Sequence, residues 1–525
     1  MADPVVLGGW ISFACVVLLT LIFSALYIRL HRSKTDSERS STITSVLAVA
    51  VALLTSALVP VDIFLVAFMK DPDGKFKEWA ESNVTRQEVE TSVLYTYYTM
   101  YALITFFLFF ALPFVYFYYE EKEDENPGKK RFCSAFLYTL VFLFIAGVLL
   151  LVGAFAPMKT APDANLTEWK RLEFLFKDLA TNNGEDALSF LICSLTLIGL
   201  LGLMIYTAYG MTAWPVNLIR GTRGASTELS EVSMNRARRS DQIEAIRNKY
   251  GAGRRISARD RRQIESLEDE EHLLERQERH LQAEANNCCS KCLKILRPLE
   301  MIAGIVFFLV ALLIFLSLLL TNIDKAMHSY GWRMGYALPH RTLPNPLDIV
   351  LVFSQQVFPL DYILMAGIIM YFFFCSMAGI HDIGIWFFWI KMYKIRPRKT
   401  RPQGLLMMCF LLMLIGLATN VIIYELTPQY SMYGSQHYVA NSTKVTMCST
   451  SAPEGDCVMT RFTTLLTRFF YKVWFFGACY YWAGWVFLAV IPLSFVISLC
   501  RRRKSSINGQ VEEDDFDSDE ELLSA

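Results

Sequence analysis

Charge is scarce in this sequence. Asp, Glu, Lys and Arg make up 19% of the 525 residues, against about 25% in soluble domains, which is too little to clothe an ordinary soluble fold of this length. Neither sign is in excess: 50 basic and 50 acidic residues leave no formal net charge, so the whole chain carries no electrostatic mark of a nucleic-acid partner. Catalytic signatures are missing too. There is no phosphate loop GxxxxGK[ST], no HExxH, no GxSxG and no dinucleotide fingerprint, and with them go the usual grounds for a self-powered pump, a zinc protease, a serine hydrolase or a nicotinamide enzyme. Only seven histidines are available to a metal or an acid–base site, and nothing supports an enzyme. A basic n-region with a small-residue cleavage site is likewise absent around "MADPVVLGGW", so the first apolar run reads as a retained span.

What the chain has is apolar length. Hydrophobic residues reach 54% and aromatics 14%, and the mean hydropathy is +0.33. A bilayer core of roughly 30 Å takes about 20 apolar residues as a helix, and nine stretches qualify: 8–30, 43–69, 94–119, 132–157, 187–209, 299–321, 358–381, 404–425 and 472–499. The expectation is an all-α polytopic membrane protein of about nine transmembrane helices. Lys and Arg set its orientation. Arg29, Arg32, Lys34 and Arg39 follow the first span, Lys391 to Arg401 the seventh, and Arg501 to Lys504 the ninth; all three clusters belong in the cytosol. With the N-terminus luminal and the C-terminus cytosolic, the three glycosylation sequons, at Asn83, Asn165 and Asn441, all fall in luminal loops.

Cysteine use agrees with that orientation. Of twelve cysteines, only Cys448 and Cys457 lie in an expected luminal loop, close enough in sequence to close a short disulfide ring. Cys288, Cys289 and Cys292, in "NNCCSKCLKILRP" before span six, lack the fourth ligand that zinc requires; palmitoylation and unmodified thiols both remain open. No metal site is indicated.

Residues 1–209 are thus read as spans one to five, 210–298 as a cytosolic helical insert, 299–499 as spans six to nine and 500–525 as a disordered, acidic cytosolic tail. In the insert, Leu267, Leu274 and Leu281 stand seven apart beside Ile264 and Leu273, after a Ser257 cap. Ile243, Ile246 and Tyr250 repeat at helical spacing upstream, and "GAG" at 251–253 breaks the two segments. This pattern predicts an antiparallel helical hairpin, with a partner-binding coil as the alternative. The tail ends in Leu522 and Leu523 amid acids, with Ser518 four residues before. Phosphorylation of Ser518 would supply the acid that a dileucine sorting signal wants; a merely solvated tail is the other reading.

Three Pro-x-Asp units interrupt the apolar runs: Pro60 and Asp62, Pro346 and Asp348, and Pro359 and Asp361. A charged Asp at mid-bilayer costs about 2.5–3.5 kcal/mol on insertion scales, so such residues face protein or water. In one reading Asp62 and Asp361 line a luminal vestibule that binds polar groups of a substrate. In the other each proline kinks, breaks or begins a helix and each Asp caps the helix its proline initiates, or pairs with a base. Residues 347–357 are too short to span and suit a broken half-helix.

Several strings are far more specific than hydropathy. "STITSVLAVAVALLTSALVPVDIFLV" (41–66), "LPFVYFYYEEKEDE" (112–125), "NLIRGTR" (217–223), "VFPLDYIL" (357–364) and "SMAGIHDIGIWFFWIKMYKIRPRKTRPQ" (376–403) resemble the limb-region and lipocalin-receptor-like membrane family, and the resemblance covers essentially the full chain. It implies a nine-span lysosomal membrane glycoprotein required for cobalamin (vitamin B12) to leave the lysosome. It also implies a partner, an ABC half-transporter of subfamily D, which the protein would escort and which would perform the transport. A self-sufficient transporter or channel, and an endocytic receptor working through the clathrin adaptor, are the alternatives. A homo-oligomer stays open. No cofactor is expected; cobalamin would be a transported ligand, and no cobalamin-binding residue carries over, since the Asp-x-His-x-x-Gly of the mutases is absent.

Overall fold

The computed structural model describes the chain outside residues 1–3, 34–37, 72, 124–127, 156–182, 222, 251–256, 287, 337, 339–341, 388–389, 398–399, 441–443, 449–451, 454–455, 473, 502 and 504–525. Among the described residues it is helical nearly throughout, with nine helices long and apolar enough to cross a membrane. The order is α1 (Pro4–His31), α2 (Arg39–Ala67), α3 (Asn83–Lys122), α4 (Gly128–Phe155), α5 (Ala187–Arg220), α6 (Ala225–Tyr250), α7 (Ala258–Asn286) and α8 (Cys288–His328). There follow α9 (Pro346–Ser354), α10 (Leu360–Ile383), α11 (Pro402–Leu426), α12 (Pro428–Tyr433), α13 (Arg461–Lys472) and α14 (Trp474–Cys500). Two antiparallel hairpins, β1 (Ile385–Phe387) with β2 (Ile390–Tyr393) and β3 (His437–Ala440) with β4 (Lys444–Met447), complete it.

The chain divides into two compact units. One comprises Met1–Thr212 and Val310–Phe495, the other Ala213–Leu309 and Val496–Ala525. In the first, α11 and α2 form the centre: 83% and 72% of their apolar windows are buried, against 11% for α1 and 17% for α4. Leu18, Leu19 and Phe144 are 60%, 65% and 73% exposed, which is tolerable only where lipid replaces water. Helices α5 and α10 meet through small residues. A Cβ on Gly210 would strike the Cys375 carbonyl, and one on Gly379 would strike the Tyr206 carbonyl, so backbone approaches backbone at both crossings.

Several helices overrun the apolar stretches that announce them. The third starts at Asn83 rather than near 94 because Ser82 caps it, accepting from Val84 N at 3.3 Å, ahead of a polar but helix-compatible segment. Its 40 residues extend about 60 Å, twice a hydrocarbon core, with a π-helical stretch at Phe107–Ala111. The fifth runs on past 209 to Arg220 through Pro215, after a similar stretch at Leu203–Thr207.

In the second unit α6 and α7 form the antiparallel hairpin. Ile243, Ile264 and Leu267 make its small core with Ile246 packed against them. Ion pairs Arg236–Glu278 (2.9 Å), Arg239–Glu270 (3.0 Å), Arg247–Glu268 (2.6 Å) and Lys249–Asp260 (3.4 Å) climb it in antiparallel register. Such exposed pairs contribute about 0–1 kcal/mol each, so the apolar seam holds the hairpin and the charges set its register. Arg297 donates to the carbonyls of Leu218 and Ile219 at 2.9 and 2.8 Å, closing the end of α5 onto α8.

Candidate functional site

The three aspartates lie in the first unit and all are buried: Asp62 is 1% exposed, Asp361 2% and Asp348 7%. Each is matched to donors at the end of another helix or on a buried tyrosine. Asp62 Oδ2 accepts the backbone N–H of Phe462 at 2.7 Å and the Tyr97 hydroxyl at 3.4 Å. Phe462 is the second residue of α13, where unsatisfied N–H groups and the positive end of the helix dipole favour a carboxylate. Thr460 caps the same turn, accepting from Thr463 N at 3.3 Å, and Arg461 pairs with Glu90 of α3.

Asp348 does for α12 what Asp62 does for α13. Its two carboxylate oxygens accept from Gln429 N (3.3 Å) and Tyr430 N (3.1 Å). The fully buried Tyr430 then donates its hydroxyl to Asp361 Oδ2 at 2.9 Å. Burial and the neighbouring Asp361 carboxylate push the Tyr430 phenol well above its ordinary range, so it stays a hydrogen-bond donor. Ser431, the next residue, accepts from Thr460 and Thr463 of the α13 cap at 2.6 and 3.1 Å. The three aspartates therefore belong to one connected layer, with α12 at its hub.

Two expectations need correction. Pro60 does not break or begin a helix: it lies inside α2, which continues to Ala67, as membrane helices allow when neighbouring side chains hold the freed backbone. Nor does each Asp cap the helix its own proline initiates. Pro346 does open α9, but there Asn345 is the cap, accepting from Leu347 N and Asp348 N at 3.1 and 3.4 Å, which leaves the Asp348 carboxylate to reach α12. Pro359 precedes Leu360 and makes no side-chain cap; Asp361, in the first turn of α10, turns to Tyr430 instead. Asn345 also donates to the carbonyl of Leu426, the last residue of α11, at 2.6 Å.

Around this layer, Lys70, three residues past the end of α2, donates to the carbonyls of Gly74 (3.4 Å), His437 (3.1 Å) and Asp456. Burial pulls its ammonium below the ordinary lysine range. Cys448 and Cys457 are disulfide-bonded, and Gln436 ties the loop from both sides, donating to Val458 O at 2.7 Å and accepting from Val458 N at 3.0 Å. Asn83 is exposed at the start of α3. Asn165, Asn441, Ser518, Leu522 and Leu523 lie outside the described residues, as do the side chains of Cys288, Cys289 and Cys292. Among the described residues no three His, Cys, Asp or Glu side chains gather as metal ligands.

The arrangement is a set of acceptors for helix ends. The bonds its carboxylates make are those of anchoring. The missed participants are Tyr430, Thr460, Thr463 and Asn345. Thr460-x-x-Thr463 before an amphipathic run and Asn345 before Pro346 are both legible cap signals, whereas nothing local marks Tyr430.

Among the described residues, nine helices long and apolar enough to cross a membrane, with buried carboxylates holding the short helices α12 and α13, define a polytopic, mainly helical membrane protein. The chain belongs to the LMBR1-like membrane protein family, whose model it matches over residues 9–303. It is 49% identical, over 98% of both chains, to a Nematostella vectensis protein named "Probable lysosomal cobalamin transporter". It is 46% identical over 100% of both chains to the Danio rerio protein named "Lysosomal cobalamin transport escort protein LMBD1", and 48% identical to the Mus musculus protein of that name over 98% of this chain and 97% of the relative. No solved structure matches it.

Proposed function

We propose that this protein serves the export of cobalamin from the lysosome, as a non-catalytic escort and complex partner of a separate transporter. The observation that carries the proposal is end-to-end similarity, at 46% identity over 100% of both chains, to a protein named as a lysosomal cobalamin transport escort. The division of labour draws further support from the spans. Asp62, Asp348 and Asp361, polar side chains that could grip a cargo, each spend at least one carboxylate oxygen on another helix.

The partner assigned is an ABC half-transporter of subfamily D, as the family resemblance implies. It would contribute the nucleotide hydrolysis for which this sequence carries no phosphate loop. The protein sits in the lysosomal membrane with its N-terminus in the lumen and its C-terminus in the cytosol, a reading supported by the basic clusters after spans one, seven and nine. The test is reconstitution of the purified chain in cobalamin-loaded liposomes, alone and with the half-transporter. Flux is expected only with the partner. Flux through this chain alone would overturn the escort reading in favour of a transporter, the function printed in the name of the Nematostella vectensis relative.

A further inference from the structure

Several buried polar atoms of the first unit make no hydrogen bond, and one of them borders a cavity. Asn420 lies within α11, is 3% exposed, and its Oδ1 has no hydrogen-bond partner. An amide oxygen left bare among apolar side chains is a standing cost. It borders a cavity of about 10 Å³ whose other polar lining comes from Tyr101, Thr196 and Tyr480. The Thr196 hydroxyl donates to Ile192 O at 2.7 Å, and the Tyr480 hydroxyl donates to Cys193 O at 2.9 Å. Thr196 also bonds the Tyr480 hydroxyl, so the two form a small polar cluster on the cavity wall whose oxygens can accept.

We propose that this cavity is a binding site for one water molecule, held by Asn420, Thr196 and Tyr480 where α3, α5, α11, α13 and α14 meet. The volume is that of a single water, and the lining supplies the two to four polar partners that a buried water needs. A water directs its two protons to acceptors, which satisfies Asn420 Oδ1 and one hydroxyl together. A metal cation fits worse: no carboxylate lines the cavity, so the ion would bring its full charge into a low-dielectric interior without a counter-charge. The water also extends the polar layer inward. Tyr101, at the cavity, stacks on Tyr97 one turn away with ring centroids 6.2 Å apart, and Tyr97 donates to Asp62.

Two measurements test the site on the full-length protein in nanodiscs. A single-particle map fine enough to show ordered water is expected to contain a peak about 2.7–3.2 Å from Asn420 Oδ1; an empty cavity there overturns the proposal. In thermal unfolding, Asn420→Leu is expected to lower Tm by about 1–2 °C because the water loses an acceptor, and Thr196→Val to lower it less. A rise in Tm for Asn420→Leu means that a bare oxygen was removed from a dry cavity, and refutes the site. A wild-type Tm that climbs when choline is replaced by sodium or potassium assigns the cavity to a cation, and refutes water. The wild-type map decides the matter even if a variant fails to fold.

Discussion

Replacing Asp62 separates anchoring from charge. The carboxylate uses one oxygen only: Oδ2 takes the Phe462 N–H at 2.7 Å and the Tyr97 hydroxyl at 3.4 Å, while Oδ1 has no partner. Asparagine can place its oxygen at the working position and its amide where nothing was bonded, so Asp62→Asn keeps the cap and loses the charge. The loss is then the difference between a charged and a neutral acceptor, about 1 kcal/mol. Alanine keeps neither. It strands the N–H of Phe462, a residue with no exposed surface, at a cost of about 1–3 kcal/mol, and removes a favourable charge from a helix N-terminus, worth about 0.3–1 kcal/mol more. The Tyr97 bond is at the edge of hydrogen-bonding distance and adds little. The expected order in Tm, and in the amount reaching the lysosome, is therefore wild type, then Asn close behind, then Ala well below. Cobalamin release from isolated lysosomes should follow protein level in all three. Asp62→Asn at normal abundance and delivery, but without cobalamin release, would refute the anchoring argument and show that the charge faces a conducting path.

The same logic applies to Asp348: alanine should destabilise by about 1–3 kcal/mol, read as a fall in Tm and as faster amide exchange at Gln429 and Tyr430, the residues it caps. Cys448→Ser opens a ring of sequence separation 9; loop-closure entropy predicts a loss of about 2–3 kcal/mol, with faster exchange in β3 and β4 that is matched by reducing the wild type. Leu267→Asp, at a residue 8% exposed in the hairpin seam, should melt α6 and α7 by hydrogen exchange while Arg247→Ala changes little. Equal effects would show that charge rather than the seam holds the hairpin.

The spans were legible because a bilayer forces about 20 apolar residues to be contiguous, and the hairpin because Leu267, Leu274 and Leu281 keep one face. Helix starts such as Asn83 were hidden because a capped polar turn adds no hydropathy. Pro60 is a local signal of a helix break, yet α2 runs through it to Ala67, as membrane helices permit. The aspartates were visible as anomalies and their roles were not. Asp348 meets α12 over a sequence distance of 82 residues, Asp361 meets Tyr430 over 69, and the water-sized gap at Asn420 draws on five helices.

The Asp62–Phe462 bond links residues 400 apart, and that distance sets a timetable for biogenesis. At about 5–20 residues per second, α2 is made some 20–80 s before the helix end that completes it. Throughout that interval the nascent chain holds in the membrane an acid without its main partner, with only the long Tyr97 contact to serve it. Truncations anywhere between α2 and α13 thus share one defect however many spans they retain, which gives the cell's quality control a single exposed feature by which to recognise an unfinished chain.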